Sequence, residues 1–412
     1  MLNFDDLRLK INPLYEGKEL ENKLLILPEL DSKSLCKSER LFKLLELYKI
    51  FIPNKKIEII YNNLYLSLVA SLERKGTLDE VRLLNNIYKS NSLNKRYGVA
   101  GGLDSFKIIG RSGTGKTTAL YRCAELICPN NLIQFDNSDR EIIPFLILEC
   151  PSDGSFKGLL FSIMLKIDNI LGTNYFRKQN PRFLTTDFLM NSVSSVLINH
   201  VGVLVIDEIE RVANDSRKGE TLINYLTQLV NQTNVSVVFV GDKSSDKYFT
   251  NKEYMSRRTL GIELTKLEYN EDFYDFCSYL FRYQFTNKKV ELDSKLLRCL
   301  YGLTNGLPSL TVILFIETQK KAILSNIDSI SEELFYEVFD EVFSNMKSYI
   351  KRESIVSKPK PVVNNQISIK TQNHCRSSIF LRAKEESNGD IDTFIEILLK
   401  DIEIDLVKLW LN

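Results

Sequence analysis

Three glycines, a lysine and a threonine stand together at the spacing that phosphate binding requires. Residues 110–117 read G-R-S-G-T-G-K-T and fit the pattern G-x-x-x-x-G-K-[ST] of the phosphate-binding P-loop. The glycines allow the backbone to turn its N–H groups toward a phosphate, and a helix that begins there adds partial positive charge. Lys116 is then placed to reach the β- and γ-phosphates of a nucleotide such as ATP, and the Thr117 hydroxyl to bind Mg²⁺. The residues expected at the nucleotide are Gly110, Arg111, Ser112, Gly113, Thr114, Gly115, Lys116, Thr117 and Thr118.

A pair of carboxylates follows an apolar run further along the chain. Residues 203–206 are Val-Leu-Val-Ile, which is typical of a strand buried on both faces, and Asp207 and Glu208 come next. In open α/β sheets, ligands bind at the carboxyl ends of the strands. Beside a P-loop, Asp207 is expected to hold Mg²⁺ and Glu208 to orient and deprotonate the attacking water. The alternative is an ordinary strand end with two solvated acids.

The segments around these two motifs alternate between strand and helix patterns. A short apolar segment at 105–109 precedes the P-loop, and a helix is predicted from 118 to 126. Further strands are predicted at 142–148, 203–206 and 235–240, and further helices at 155–171, 185–198 and 220–231. Alternation of this kind predicts an α/β fold with a parallel sheet flanked by helices.

The composition excludes several other classes of protein. Among 412 residues the net charge is +1, so any basic surface must be local. Seven scattered cysteines and only two histidines argue against a zinc site and favour reduced thiols. The first residues lack the basic segment and apolar run of a signal peptide, and no long uncharged apolar stretch predicts a membrane span. A cytoplasmic protein is expected.

Composition and periodicity divide the chain into five regions. A helical region at 1–100 precedes the P-loop region at 101–262, and an all-helical region at 263–350 follows it. Residues 351–389 are predicted to be a flexible linker, because their first 34 residues hold eight Lys or Arg against one acid. Residues 390–412 are predicted to form an amphipathic helix, which either binds a partner or folds back onto the all-helical region.

These features together resemble an AAA+ ATPase: a P-loop, an acidic strand, a further strand that ends in a polar residue, and a helical lid. More narrowly, the chain resembles the TnsC/TniB family of transposition regulators over about residues 50 to 345. The stretches that carry this resemblance are 110–118, C-P-S-D-G-S at 150–155, I-D-N-I-L-G-T-N-Y at 167–175, D-E-I-E-R at 207–211, V-F-V-G-D-K at 238–243, G-L-P at 306–308 and Q-K-K-A-I at 319–323. The resemblance implies an AAA+ core at 101–262, a lid at 263–350, a helical N-terminal region and a flexible C-terminal tail.

The resemblance also implies an ATP-dependent regulator that oligomerises as a ring or helical filament on double-stranded DNA. Such a regulator couples target-site selection to transposase recruitment, and ATP hydrolysis drives its disassembly. By the same resemblance, the N-terminal region contacts a target selector, either a DNA-binding protein or an RNA-guided complex. The C-terminal helix binds transposase subunits. The protein is then expected in the bacterial cytoplasm, associated with the nucleoid when it is on DNA.

Further residues receive roles from the resemblance alone. Asp242 is the expected sensor at the end of the strand that follows the acidic one. Arg257 or Arg258 is the expected arginine finger, which completes the site of a neighbouring subunit and joins Lys116 and Glu208 in the catalytic set. The candidate DNA contacts bind phosphates, or are ordinary surface charges, and are Lys157, Arg177, Lys178 and Arg182.

Two other functions fit the same motifs. One is a signalling or defence NTPase, in which ATP gates a protein partner without DNA; an effector domain or repeat array is its sequence cue, and neither is evident. The other is a replication-type initiator or loader ATPase. That function favours a winged-helix domain after the lid, and a linker with one short helix is too small for it.

Overall fold

The computed structural model describes residues 10–29, 35–75, 80, 84–85, 105–134, 140–177, 185–212, 216–233, 235–250 and 260–344. The chain divides into two units, Met1–Lys347 and Ser348–Asn412. The second unit lies outside the described residues, and with it the linker predicted at 351–389 and the helix predicted at 390–412.

A single sheet lies at the centre of the first unit. Its strands are β1 (Phe106–Gly110), β2 (Ile133–Gln134), β3 (Glu141–Glu149), β4 (Val201–Asp207), β5 (Ser236–Gly241) and β6 (Leu260–Leu264). They lie in the order β2-β3-β4-β5-β1-β6. All neighbouring strands are parallel except β2, which pairs antiparallel with β3. The predicted parallel α/β sheet is confirmed, and β2 and β6 are strands that the sequence did not indicate.

Helices cover both faces of this sheet. They are α1 (Gly17–Leu24), α2 (Lys37–Glu46), α3 (Lys55–Arg74), α4 (Lys116–Ile127), α5 (Phe156–Leu171), α6 (Thr186–His200), α7 (Ser216–Thr233), α8 (Lys247–Thr250), α9 (Glu271–Phe281), α10 (Ser294–Thr304), α11 (Pro308–Leu324) and α12 (Glu332–Val342). One apolar core joins α5, α6 and α7 to the sheet, and a second core joins α1, α3 and α4 to its other face. Taken singly, none of the described helices has the length and apolar composition needed to cross a membrane.

The apolar run of β4 is explained by these two cores. All seven residues of the strand are buried. Val203 and Val205 belong to the core that holds α3 and α4, whereas Leu204 and Ile206 belong to the core that holds α5 to α7. Because successive side chains of a strand point to opposite faces, both sets must be apolar when both faces are covered. The buried strand therefore ends with Asp207 at the carboxyl edge of the sheet.

The described part of the N-terminal region contacts both the sheet and the lid. The Asn54 side chain caps α3 by accepting from the amides of Lys56 and Ile57, and α3 packs against α4 and the central strands. Helix α2 instead packs against α11, where the Lys37 ammonium donates to the Leu324 carbonyl at 3.0 Å. In this region, α3 therefore packs on the sheet and α2 packs on the lid.

The all-helical lid contains α9 to α12 and joins the sheet through a tight backbone contact at Gly306. This residue has φ +71°, and the Leu267 amide donates to its carbonyl at 2.9 Å. A Cβ at position 306 would lie 2.1 Å from the Leu267 carbonyl oxygen, which is backbone and has no rotamer by which to move aside. Only glycine satisfies both the conformation and the space.

We expect Gly306→Ala to lower the melting temperature, because it adds roughly 1–3 kcal/mol of backbone strain and a steric overlap. Gly302→Ala is the matched control. Gly302 lies within α10, and a Cβ there would meet nothing within 4 Å. Alanine in a helix is more favourable than glycine by about 0.5–1 kcal/mol, so the control melts at or above the wild-type temperature. Circular dichroism melting of the two variants checks this, and a Gly306→Ala chain as stable as the wild type would contradict it.

Candidate nucleotide site

The P-loop forms the turn between β1 and α4. Gly113 has φ +85° and Gly115 has φ +88°, which is the left-handed region that glycine adopts without strain. Gly115 is the N-cap of α4, and Lys116 and Thr117 form the first turn of that helix. The loop thus curls in front of a helix N-terminus, and the unpaired amides and partial positive charge of that terminus suit a phosphate.

Lys116 contacts the carbonyl groups of its own loop. Its ammonium donates to the Gly110 carbonyl at 2.7 Å and to the Arg111 carbonyl at 3.2 Å. Burial lowers the pKa of Lys116, and the neighbouring carboxylates, with Glu210 first among them, act in the opposite direction. An anion that takes the place of these carbonyl groups offers the ammonium a stronger, charge-assisted partner.

The Thr117 hydroxyl joins the P-loop to the acidic strand. It donates to Asp207 Oδ2 at 2.7 Å, and the other oxygen of Asp207 accepts from the Glu208 amide at 2.8 Å. Asp207 is buried. Mg²⁺ prefers oxygen ligands and is usually bound by one or two protein groups with substrate phosphates and water. The two oxygens fit that ion, so the residues predicted for the metal are brought together.

Glu208 is held by a neighbouring arginine. Its backbone has φ +55°, which is uncommon for a residue other than glycine. Its carboxylate forms an ion pair with Arg211. The same guanidinium donates to Glu149 Oε2 at 2.9 Å and to the Cys150 carbonyl at 2.8 Å, both at the end of β3. Arg211 therefore ties the expected base to the adjacent strand, a contact that the sequence analysis missed although the spacing from Glu208 to Arg211 is visible in it.

The Asp242 carboxylate is engaged in its own turn. Its Oδ1 accepts from the Ser244 amide at 2.8 Å, from the Ser244 hydroxyl at 2.6 Å and from the Ser245 amide at 3.3 Å. The Asp242 amide donates to Glu210 Oε2 at 3.2 Å. The sensor role of Asp242 stays a prediction. Glu210 is a carboxylate of this site to which the sequence analysis gave no role of its own.

The lid reaches the P-loop through the first turn of α11. The Ser309 amide donates to the Gly113 carbonyl at 3.2 Å. A Cβ at Gly113 would lie 2.5 Å from the Ser309 hydroxyl, so the two backbones are in close contact. Pro308 at the first position marks this helix start in the sequence, but nothing in the pattern indicates that the turn lies on the P-loop.

The structure places Lys157 and Arg177 at opposite ends of α5. Lys157 is in its first turn, just after β3 and the loop that follows it, and Arg177 lies beyond its last residue. The 16 residues of the helix span about 24 Å. Tyr175 Oη lies 2.9 Å from His200 Nε2, and His200 Nδ1 lies 2.9 Å from the Glu141 carbonyl at the start of β3, so Arg177 belongs to the other edge of the sheet. Lys157 and Arg177 therefore do not lie in one surface patch.

Four residues with predicted roles lie outside the part of the chain that the structure describes. Lys178 and Arg182 lie outside the described residues, and so do the candidate arginine fingers Arg257 and Arg258. Their roles remain predictions from the sequence.

The P-loop lies beside the oxygen pair of Thr117 and Asp207, which is the arrangement of a P-loop nucleotide site in an AAA+ fold. One strand, β5, separates the P-loop strand from the acidic strand, and an all-helical lid follows the sheet. A family model described as "Bacterial TniB protein" matches residues 94–269, which contain the whole of this site except the lid. The resemblance to TniB-type AAA+ ATPases is thereby confirmed for the core.

No curated protein sequence matches this chain. Among solved structures, the Aeropyrum pernix ORC2 protein in its ADP form is 14% identical, with 64% of this chain and 66% of that chain covered and a TM-score of 0.38. The Aeropyrum pernix ORC1 protein in complex with DNA is 15% identical, with 86% and 79% covered and a TM-score of 0.42. Drosophila ORC bound to DNA is 12% identical, with 97% and 86% covered and a TM-score of 0.40.

We expect Glu208→Gln to bind ATP and to hydrolyse it roughly 10² to 10³ times more slowly, because general-base catalysis contributes on this scale. Steady-state phosphate release and nucleotide binding, measured on the same preparation, separate the two effects. Glu125→Gln removes an exposed carboxylate of α4 that pairs with Arg122, and it serves as the control at the wild-type rate. Hydrolysis by Glu208→Gln at the wild-type rate would show that another group activates the water.

Proposed function

We propose that the chain is an ATP-dependent, DNA-binding regulator of transposition. The match of residues 94–269 to the bacterial TniB model carries the proposal, because it adds a family to the ATPase geometry. In this proposal the chain oligomerises on double-stranded DNA when ATP is bound. It then couples target-site selection to transposase recruitment, and hydrolysis disassembles it.

At the proposed ATP site, each described residue has a separable task. The loop amides and Lys116 bind the phosphates, and Thr117 and Asp207 hold Mg²⁺, which would offset phosphate charge during hydrolysis. Glu208 orients and deprotonates the attacking water. It must exchange its ion pair with Arg211 for that water, so the state of Arg211 influences the rate.

A short path connects this ion pair to the proposed DNA contact at Lys157. Arg211 donates to the Cys150 carbonyl, and α5 begins at Phe156 a few residues later. Ser155 caps α5 by accepting from the Gly158 amide, which fixes the first turn where Lys157 lies. Binding of a DNA phosphate at this turn would thus act on the loop that holds Arg211. This arrangement supports ATP hydrolysis that responds to DNA.

An exposed apolar face on the N-terminal region supports a protein partner there. Phe42, Leu45 and Tyr48 are between 51% and 69% exposed and follow one another at intervals of three residues along α2 and the turn after it. Large apolar side chains grouped on a surface are typical of interaction sites. We assign this face to the target selector, and we assign residues 390–412 to the transposase subunits.

The proposal predicts ordered rings or helices on duplex DNA in electron micrographs of the full chain with a non-hydrolysable ATP analogue. Lys116→Ala is expected to abolish them, because it removes the cation that binds the phosphates. Arg257→Ala/Arg258→Ala is expected to reduce assembly while single subunits still bind nucleotide, because an arginine finger acts on a neighbour's site. Lys247→Ala is a control for the loss of positive charge near the same segment.

The opposite outcome separates the proposal from the other functions. Nucleotide binding without any DNA-dependent assembly would overturn it and favour a signalling or defence NTPase. Assembly confined to particular DNA sequences, rather than to any duplex, would favour a replication-type initiator, because phosphate contacts alone carry no sequence information.

A further inference from the structure

Glu210 occupies a position that joins two strands of the nucleotide site. It lies in the 3-10 turn Ile209–Val212 that follows β4. Its Oε2 accepts from the Asp242 amide at 3.2 Å, at the end of β5. A Cβ at Gly241 would lie 2.9 Å from the same oxygen, so the carboxylate lies directly against the β5 backbone. Strands β5 and β1 are neighbours, with Gly241 beside Ile109. The Lys116 ammonium donates to the carbonyl of Gly110, the next residue of β1, so it and the Glu210 carboxylate are held at the ends of adjacent strands.

The charge of Glu210 acts on Lys116. Of the four carboxylates that oppose the lowering of the Lys116 pKa, Glu210 has the largest effect, ahead of Asp207. The relation is mutual: burial raises the pKa of Glu210, Asp242 adds to that, and Lys116 acts against it. A partly buried charge is screened by salt much less than an exposed one. Glu210 is therefore a close counter-charge of the lysine that must bind phosphate.

The other carboxylates of the site have different partners. Asp207 accepts from Thr117, and Glu208 forms its ion pair with Arg211. Glu210 accepts from the neutral Asp242 amide, so its charge has no cationic hydrogen-bond partner among the residues of the site that the structure describes. Neither the metal nor the attacking water requires this third carboxylate, so its charge needs a separate explanation.

We propose that Glu210 is a positioning residue that weakens ATP binding relative to ADP binding by competing for Lys116. The proposal rests on ATP binding at the P-loop and is independent of transposition. Lys116 reaches both the β- and γ-phosphates, so ATP draws more on its charge than ADP does. The γ-phosphate also adds negative charge to a site where Glu210 is already present, and like charges repel. Glu210 thereby limits the lifetime of the ATP-bound form.

Two substitutions separate the charge of Glu210 from its hydrogen bond. In Glu210→Gln the side-chain amide oxygen still accepts from the Asp242 amide, but the charge is gone. In Glu210→Ala both are lost, so the end of β5 also loses its contact. Glu263→Gln is the matched control, because it removes an exposed carboxylate of β6 that pairs with Lys243.

The experiment measures dissociation constants of the full chain for a non-hydrolysable ATP analogue and for ADP, with Mg²⁺, by calorimetry. We expect Glu210→Gln to bind the ATP analogue about five- to tenfold more tightly and ADP less than about twofold more tightly, a scale typical of one partly screened charge. Glu210→Ala shows the same change in the affinity ratio and a lower melting temperature. Glu263→Gln leaves the ratio at the wild-type value. If Glu210 had only a structural role, its substitution would lower the melting temperature and change the affinities for the ATP analogue and for ADP by the same factor.

An unchanged ratio of the two affinities in Glu210→Gln overturns the inference, and so does a ratio that shifts equally in Glu263→Gln. A wild-type chain that binds neither nucleotide overturns the ATP site itself and this inference with it. A chain that binds both nucleotides but does not assemble on DNA overturns only the proposed function, since the affinity ratio is measured without DNA.

Discussion

The hydrogen bond between Thr117 and Asp207 is the contact on which the arrangement of the site depends. Thr117 lies in α4, the helix that follows β1, and Asp207 is the last residue of β4. Strands β1 and β4 are not neighbours in the sheet, because β5 lies between them. Two strand spacings amount to about 9.6 Å, so α4 must begin directly over the end of β5 for the hydroxyl to reach the carboxylate. The apolar cores on both faces fix that relation, since α4 belongs to one and β4 to both. A metal and a phosphate can then be bound by groups that are already in place.

Around this bond, each acidic residue has a different environment, and its environment indicates its task. Asp207 is buried and accepts from the P-loop threonine, Glu208 pairs with Arg211, and Glu210 accepts from the amide at the end of β5. The backbone of Glu208 has a positive φ, and its carboxylate pairs with Arg211 whereas that of Asp207 accepts from Thr117. Three carboxylates within four positions therefore do not act as one cluster of negative charge. Their hydrogen-bond and ion-pair partners lie on α4, on Arg211 and at the end of β5.

The parts of the fold that depend on local pattern were predictable from the sequence. The P-loop was marked by its glycines and β4 by its apolar run, and the flanking helices were marked by their periodicity. Strand β6 was not predicted, because its five residues, L-G-I-E-L, are short and interrupted by Gly261. It is a strand because it pairs with β1, which lies about 150 residues earlier.

The parts of the site that depend on contacts between distant segments were not predictable. The Arg211 contacts with Glu149 and Cys150 require β3 and β4 to be in register, which no single segment determines. The same holds for the contact of Ser309 with Gly113, because residues 196 positions apart meet only in the folded chain. Conversely, Lys157 and Arg177 are near in sequence but are separated by the whole of α5. Separation along the sequence therefore did not indicate which residues lie close together in the fold.

In the proposed function, ATP bound at this site holds the chain on DNA and hydrolysis releases it. Fluorescence anisotropy of a labelled duplex, followed over time after a limited amount of ATP is added, tests it most directly. We expect a rise in anisotropy, then a return to the starting value as ATP is consumed. We expect a lasting rise for Glu208→Gln and no rise for Lys116→Ala. Anisotropy that does not depend on nucleotide, or that is the same for Lys116→Ala and the wild type, would contradict ATP-dependent DNA binding.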